Sequence, residues 1–141
     1  MRYLFIIFFI ISCSYEKYES SDQPPVAGEC VDGISTYNIN GEDVQFECNG
    51  YDLVGYVSLE QMDAASGNDC WGWTDPLTGK EYGLMGLNNG TGIIDISDPF
   101  NPNYLGKIPT ATLSSTWRDI KVYKDHAFIV SEAAGHGMQI F

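Results

Sequence analysis

One pattern of short β-strands occurs twice in the second half of the chain, and it constrains the fold more than any other feature. Alternating apolar residues and tight-turn residues predict strands at 81–87, 91–96, 104–108 and 119–123. The pattern then starts again with strands at 126–131 and 137–141, so that His126 follows its counterpart Tyr82 by 44 residues. A period of about 40–45 residues with four short strands is typical of a β-propeller blade. We therefore expect an all-β fold containing the first one to two blades of a propeller.

The turn residues and the side-chain alternation support these strands. The run 88–90 is Asn-Asn-Gly, a strong tight-turn signal between two strands. In the strand that follows, alternation places Ile94 and Ile96 on one face and Ile93 and Asp95 on the other. Helical repeats of similar period are excluded, because these segments are too short, too β-branched and too often interrupted by glycine.

Four segments of this half resemble the choice-of-anchor B proteins, whose propellers are built from LVIVD-type repeats. They read Asn-Asp-Cys-Trp-Gly-Trp within 68–82, Gly-Ile-Ile-Asp-Ile-Ser-Asp-Pro at 92–99, Trp-Arg-Asp-Ile-Lys-Val at 117–122, and Ser-Glu-Ala-Ala-Gly-His-Gly-Met-Gln at 131–139. Segment 30–53 more loosely resembles the cysteine-bearing N-terminal segment of the same family. The resemblance implies an LVIVD-repeat β-propeller held at the cell envelope, and it implies no particular activity.

The resemblance also leads to an expectation about length. Members of the family continue for several further blades, and propellers close with four to eight blades. The sequence ends at Phe141, inside the second repeat. We therefore expect this chain to be the N-terminal portion of such a protein, either a truncated gene product or part of a longer chain, with about one full blade and part of a second. The alternative is that another chain supplies the missing blades.

The N-terminus has the features of an exported lipoprotein. The basic Arg2 precedes an apolar run at 3–11, which is about half the length of roughly 20 residues that a membrane-spanning helix needs. Residues 1–12 therefore fit a signal peptide. Cys13 directly follows Ser12 and resembles the acylated cysteine of the bacterial lipobox, with Ile10 in place of the usual leucine. We expect lipidation at Cys13, and the alternative is an ordinary cleaved signal peptide.

These features divide the chain into four parts and give it a location. Residues 1–12 are the lipoprotein signal peptide, 13–28 an acidic, proline-containing flexible tether, 29–67 a cysteine-bearing segment, and 68–141 the partial propeller. The expected location is the bacterial cell envelope, at the outer membrane or cell surface, where the lipid anchor makes the membrane a partner. Without the lipid, the chain would be secreted.

Cysteine pairing follows from the oxidising compartment outside the cytoplasm. If Cys13 carries lipid, three cysteines remain, so we expect one disulfide and one thiol left over. Cys30 and Cys48 both lie in a segment with few core-forming residues, where a cross-link contributes about 3 kcal/mol, and we predict that they pair. Cys70 is predicted to be a buried thiol, since no basic neighbour is evident that would activate it. Pairing of Cys70 with a residue beyond this chain is the alternative.

The net charge excludes one class of partner. The full sequence has a formal net charge of −12, and loss of Arg2 with the leader changes it to −13. Nucleic-acid phosphates require clusters of lysine and arginine, so we expect no nucleic-acid binding. No phosphate-binding loop or nucleophile motif is present, and we expect no cofactor.

The candidate ligand-binding residues are aromatic and polar side chains of the repeat region. They are Trp71, Trp73, Trp117, Arg118, Glu132 and His136. The tryptophans can form a stacking platform for sugars or peptides, although packing between blades explains them equally well. Arg118 can bind a carboxylate with two hydrogen bonds, and we predict Asp119 as its structural partner.

Metal binding and catalysis receive little support from the sequence. Asp95, Asp98 and Asn101 have a spacing that a turn explains, and His126, His136 and Glu132 lack diagnostic zinc-ligand spacing. We therefore expect no metal site. Whether the chain is an enzyme stays open, and the sequence favours a non-catalytic module that binds a protein or a glycan. The alternatives are a fragment of a secreted propeller hydrolase or lyase whose active site lies beyond residue 141, and a non-functional remnant.

Overall fold

A computed structural model of the chain describes residues 28–39 and 41–141. This part is all-β, with ten strands in three antiparallel sheets. The predicted signal peptide at 1–12, the predicted acylation site Cys13 and all of the predicted tether except Gly28 lie outside the described residues. Nowhere in residues 28–39 or 41–141 is there a helix with the length and apolar character needed to cross a membrane.

The cysteine-bearing segment forms a small sheet of its own. Strands β1 (Cys30–Val31), β2 (Ile34–Ile39) and β3 (Glu42–Glu47) pair in the order β1-β2-β3. Asp32 and Gly33 link the first two strands, with φ of 52° and 84°. Two successive positive φ values give the tight turn that matches the twist of a hairpin, so Asp-Gly at this point fixes the pairing of β1 with β2.

The predicted Cys30–Cys48 disulfide is present in this small sheet. The two cysteines have Cα atoms 5.9 Å apart and a sequence separation of 18 residues, and closure of a loop of this size stabilises a fold by about 3 kcal/mol. Ser35 is the only residue of β1, β2 and β3 that is fully buried. The cross-link thus compensates for a sheet that buries very little apolar surface.

The second sheet contains four strands in sequence order. They are β4 (Gly67–Thr74), β5 (Glu81–Leu87), β6 (Gly90–Asp95) and β7 (Asn103–Pro109). The observed bounds of β5 equal the predicted 81–87, and the predicted strands 91–96 and 104–108 correspond to β6 and β7. The sequence did not predict β4 as a strand.

The third sheet contains β8 (Arg118–Tyr123), β9 (His126–Ser131) and β10 (Met138–Ile140), in the order β10-β9-β8. The repeat pattern grouped 119–123 with the three preceding strands, and this grouping is wrong. The strand pairs with β9 from Arg118↔Ser131 to Tyr123↔His126, because the tight turn at Lys124 (φ 53°) folds it directly onto the next strand. Each sheet therefore begins one strand earlier than the repeat suggested.

The core lies between the second and third sheets. Leu84, Ile120 and Ile129 are buried there, and partly buried side chains pack around them. Ile93 lines the space on this side of β6, while Ile94 and Ile96 line a groove on the opposite side. The predicted alternation along this strand is confirmed.

The opposite side of the second sheet is covered by the segment between β3 and β4. Met62 is 4% exposed, and it lines the groove on this side together with Tyr56, Leu59 and Met85. Asn88 in the β5–β6 turn accepts hydrogen bonds at its side-chain oxygen from the backbone N–H groups of Ala65 (2.9 Å) and Ser66 (3.3 Å). The second sheet is therefore the middle layer, packed on both faces.

An ion pair at the edge of the second sheet predicts an acid dependence of stability. Hydrogen bonds from Ser97 and from the Lys80 ammonium, 2.9 Å away, lower the pKa of Asp95 to about 2 from the ordinary 3.8. A depressed carboxyl pKa contributes stability above its unfolded-state value, and this stability is lost as the pH falls through the folded-state value. We expect Asp95→Asn to flatten the slope of unfolding free energy against pH between about pH 4 and 2. Urea unfolding across this range measures the slope, and Lys80→Met should flatten it partly. An unchanged slope in Asp95→Asn would contradict the assignment.

Candidate functional site

Three connections meet at one end of the second and third sheets, and we call this region the loop end. They are the β5–β6 turn at 88–89, the β7–β8 connection at 110–117 and the β9–β10 loop at 132–137. The backbone N–H groups of Thr110 and Ser115 donate to the carbonyls of Asn89 (3.1 Å) and Asn88 (2.9 Å). The Ser115 hydroxyl donates to the Glu132 carboxylate at 3.1 Å. Hydrogen bonds thus fix the three connections to one another.

A buried arginine side chain lies beneath the loop end and forms hydrogen bonds to its connections. Arg118 is 1% exposed. Its guanidinium donates through Nε to the Leu87 carbonyl, contacts His136 Nε2 through Nη1, and donates through Nη2 to Thr110 Oγ1, each at 2.9 Å. Burial lowers the Arg118 pKa below its ordinary value. The side chain therefore links the two sheets to both longer loops.

The hydrogen bonds of His136 define its tautomer. Arginine has no acceptor, so Nε2 of His136 accepts a hydrogen bond from the Arg118 guanidinium. Nδ1 lies 3.0 Å from the carbonyl of Gly137 and therefore carries the hydrogen that it donates. Both ring nitrogens of this 6%-exposed imidazole are engaged, which leaves no lone pair for a metal ion or for a catalytic proton transfer.

The predicted pairing of Arg118 with Asp119 is wrong. Neighbouring residues of a strand point to opposite faces, and Arg118 is buried with Ile120 while Asp119 is exposed. The alternation Arg118, Ile120, Val122 along β8 was the available signal that the arginine faces the core. Thr110, the third partner of the guanidinium, was not predicted, because it is held there only by the path of the β7–β8 connection.

Trp117 and Glu132 are the candidate residues that reach solvent at the loop end. Trp117 is 60% exposed, directly before the buried Arg118. Its carbonyl accepts a 2.9 Å hydrogen bond from the Ser131 hydroxyl, and the same hydroxyl accepts from the backbone N–H of Ala133 at 3.2 Å. Trp117, Arg118, Glu132 and His136, which the sequence singled out, therefore do lie in one region.

Trp71 and Trp73 belong to different surroundings on β4. The Lys121 ammonium lies 4.2 Å from the ring centroid of Trp71, an arrangement that favours a cation–π interaction. Trp73 stacks on Tyr82 at a centroid distance of 5.5 Å and packs against the core. Packing between the sheets therefore accounts for Trp73, while Trp71 lies at an edge and is 39% exposed.

Asp69 joins the second sheet to the third at this edge. Its carboxylate accepts a 2.8 Å hydrogen bond from the backbone N–H of Ile120 and lies 3.6 Å from the Lys121 ammonium. The hydrogen bond from Ile120 is the main cause that lowers the pKa of Asp69. The sequence did not identify Asp69 and Lys121 as a pair, because their strands are brought together only by the packing of the two sheets.

The prediction that Cys70 is buried is wrong. Cys70 is exposed, because alternation along β4 turns it away from the face that carries Trp71 and Trp73. The segment between β3 and β4 packs over Met85 on the other face but does not cover Cys70 at this edge strand, so the thiol reaches solvent. In the part of the chain that the structure describes, no three His, Cys, Asp or Glu side chains are grouped so that they could hold a metal ion.

Comparison with protein-family models, with curated proteins and with solved structures gave no match.

Proposed function

We propose that this chain is an envelope-anchored, non-catalytic binding module, built as the first part of a β-propeller, whose loop end binds a glycan or protein. The observation that carries the proposal is the exposure of Trp117 and Glu132 above a loop base fixed by hydrogen bonds. The second and third sheets would be the first full blade and part of the next. The 44-residue spacing of the repeat supports this architecture.

The chemistry of the loop end suits recognition of a ligand surface. An exposed indole provides a broad apolar face and one N–H donor, which is why tryptophan is enriched at binding surfaces. The neighbouring Glu132 carboxylate can accept hydrogen bonds from hydroxyl or amide groups. A base held by the Arg118 hydrogen bonds reduces the ordering entropy that binding costs.

The same hydrogen bonds favour binding over catalysis at this place. A hydrolase or lyase at the loop end would use Arg118 or His136 to stabilise charge or transfer a proton. Both side chains are buried, and their polar atoms are bonded to each other, to Thr110 and to backbone carbonyls. Catalysis would require these bonds to break before a substrate could be reached.

The N-terminal features support attachment of this module to the envelope. The signal peptide at 1–12 directs export, acylation of Cys13 provides the anchor, and the acidic segment 13–28 separates the sheets from the membrane. A single acyl chain binds a bilayer only marginally, whereas several chains anchor a protein stably. A tether of this kind gives the loop end access to ligands at the bacterial surface.

The binding proposal is tested by removing the exposed indole. The purified chain is applied to an array of bacterial surface oligosaccharides and to an array of short peptides, and the dissociation constant of each positive probe is measured by tryptophan fluorescence. We expect Trp117→Ala to weaken binding by about tenfold or more, because stacking on an aromatic ring contributes about 1–2 kcal/mol.

The matched control is Leu113→Ala, since Leu113 is 71% exposed in the same connection and makes no polar contact there. This variant should bind as the original chain does. Failure of the original chain to bind any probe at micromolar concentration, or equal loss in both variants, would refute the proposed role of the loop end.

A further inference from the structure

The third sheet repeats the second sheet residue by residue, as their cross-strand pairs show. Tyr82, Leu84 and Met85 of β5 correspond to His126, Phe128 and Ile129 of β9, each 44 residues later. Their pairing partners then match as well: Trp73↔Tyr82 corresponds to Tyr123↔His126, Leu84↔Ile93 to Phe128↔Ile140, and Cys70↔Met85 to Ile120↔Ile129. Each face of the second sheet therefore has an equivalent face on the third.

The face of the second sheet that carries Trp73 and Leu84 is covered by the third sheet. Leu84 is 7% exposed, and it packs with Ile120 and Ile129 of the third sheet. The equivalent face of the third sheet, which we call the outer face, consists of Asp119, Lys121, Tyr123, Phe128, Val130, Met138 and Ile140. Nothing in the described residues covers it: Tyr123 is 67%, Met138 58% and Ile140 55% exposed.

An aspartate at the same position of both sheets gives a second, polar correspondence. Asp69 directly precedes Cys70, as Asp119 directly precedes its equivalent Ile120. Asp69 accepts the Ile120 N–H at 2.8 Å and pairs with Lys121 at 3.6 Å, which joins the second sheet to the third. Asp119 is exposed, and among the described residues its carboxylate has no hydrogen-bond or ion-pair partner.

We propose that the outer face is the docking face for a further antiparallel sheet of the same repeat. That sheet would present isoleucines equivalent to Ile120 and Ile129 to the outer face, a backbone N–H to Asp119, and a lysine equivalent to Lys121. A second copy of this chain does not supply such a sheet, because Ile120 and Ile129 are 0% exposed within each copy. The inference rests on the propeller architecture proposed above and does not depend on the ligand of the loop end.

One position shows how the docked sheet must differ in detail. Gly86 corresponds to Val130, and a Cβ at Gly86 would lie 2.9 Å from the Arg118 carbonyl oxygen, which is closer than real Cβ contacts. The side chain of Val130 therefore keeps the arriving strand farther away at this end. Val130 lies beside Asp119 as its cross-strand partner, so the Asp119 end takes the wider spacing. The Phe128–Ile140 pair of the outer face keeps the spacing seen between the second and third sheets.

The experiment extends the chain with its own repeat. A second copy of residues 95–141 is joined after Phe141. Its first strand, equivalent to β7, can pair with the free edge of β10. Its remaining strands, equivalent to β8, β9 and β10, form the sheet that can pack on the outer face. The reporter is Met138→Cys in the first copy, in a Cys70→Ser background, and the measured quantity is its rate of reaction with a thiol reagent. We expect the extension to slow this reaction at least tenfold, because Met138 becomes covered.

Thr91→Cys is the control for folding, since Thr91 is the equivalent of Met138 on the second sheet and is 1% exposed. It should stay unreactive in both chains. Asp119→Asn in the first copy should restore labelling of Met138→Cys by about threefold or more in the extended chain, and it should not change the urea midpoint of the original chain. Equal labelling of Met138→Cys in both folded chains would overturn the proposal.

Sedimentation of the original chain provides a measurement that does not depend on folding of the extension. The proposal expects a monomer in which Met138→Cys is reactive. A dimer that Ile140→Asp dissociates would show that a second copy occupies the outer face, and it would overturn the proposal.

Discussion

Replacing Arg118 with methionine is expected to lower the free energy of unfolding by about 3 kcal/mol, the largest stability effect that we expect among the polar residues the structure describes. Methionine fills a similar apolar volume, but it leaves the Leu87 carbonyl, the Thr110 hydroxyl and His136 Nε2 without their donor. Each buried polar group without a partner costs about 1–3 kcal/mol. Methionine also removes the desolvation cost of burying the charged guanidinium, and this gain offsets part of the loss.

Urea unfolding followed by tryptophan fluorescence measures the effect, and the chain offers a matched control on the same strand. Lys121→Met also replaces a cation with methionine, but Lys121 is an exposed residue with a surface ion pair to Asp69. We expect it to cost less than about 1 kcal/mol. If Arg118→Met were as stable as the original chain, the burial of the guanidinium would cost as much as its three hydrogen bonds contribute, and the loop end would have to be fixed by other contacts.

The strands that the sequence predicted are those whose own residues define them. β5 and β9 begin and end where the sequence predicted, because each strand is followed or preceded by a strong turn and alternates clearly. β4 was missed because it reads Gly-Asn-Asp-Cys-Trp-Gly-Trp-Thr, with few β-branched residues and a register shift between Gly67 and Cys70. Its strand conformation comes from pairing with β5, which is a tertiary effect.

The sequence predicted which residues form the candidate site, but it did not predict which of them form hydrogen bonds with one another. Trp117, Arg118, Glu132 and His136 were all identified from the sequence, but the contact between Arg118 and His136 spans 18 residues and two loops. Proximity in sequence favoured Asp119 as the partner of Arg118, and strand alternation makes this impossible. The packing of one sheet on another also decided the pairing of Asp69 with Ile120, which no local pattern encodes.

Cys13→Ala is expected to remove the chain from the membrane fraction completely, which makes it the largest effect on location. In the proposed lipoprotein, the Cys13 thiol is the point of acylation, and the described residues contain no helix that could cross a membrane. Several acyl chains at about 0.8 kcal/mol per buried methylene anchor a protein stably. Without them, we expect the exported chain to be found in the soluble fraction or the medium.

Metabolic labelling with an alkyne fatty acid, followed by fractionation, separates the anchor from other causes of membrane association. The original chain should carry the label and sediment with membranes, and Cys13→Ala should do neither. Cys70→Ala is the matched control, because Cys70 is the exposed thiol of the described residues and the one most open to adventitious acylation. This control should keep both label and location. Equal labelling of Cys13→Ala and the original chain would show that Cys13 is not the anchor, and an unlabelled but secreted original chain would support the ordinary signal peptide instead.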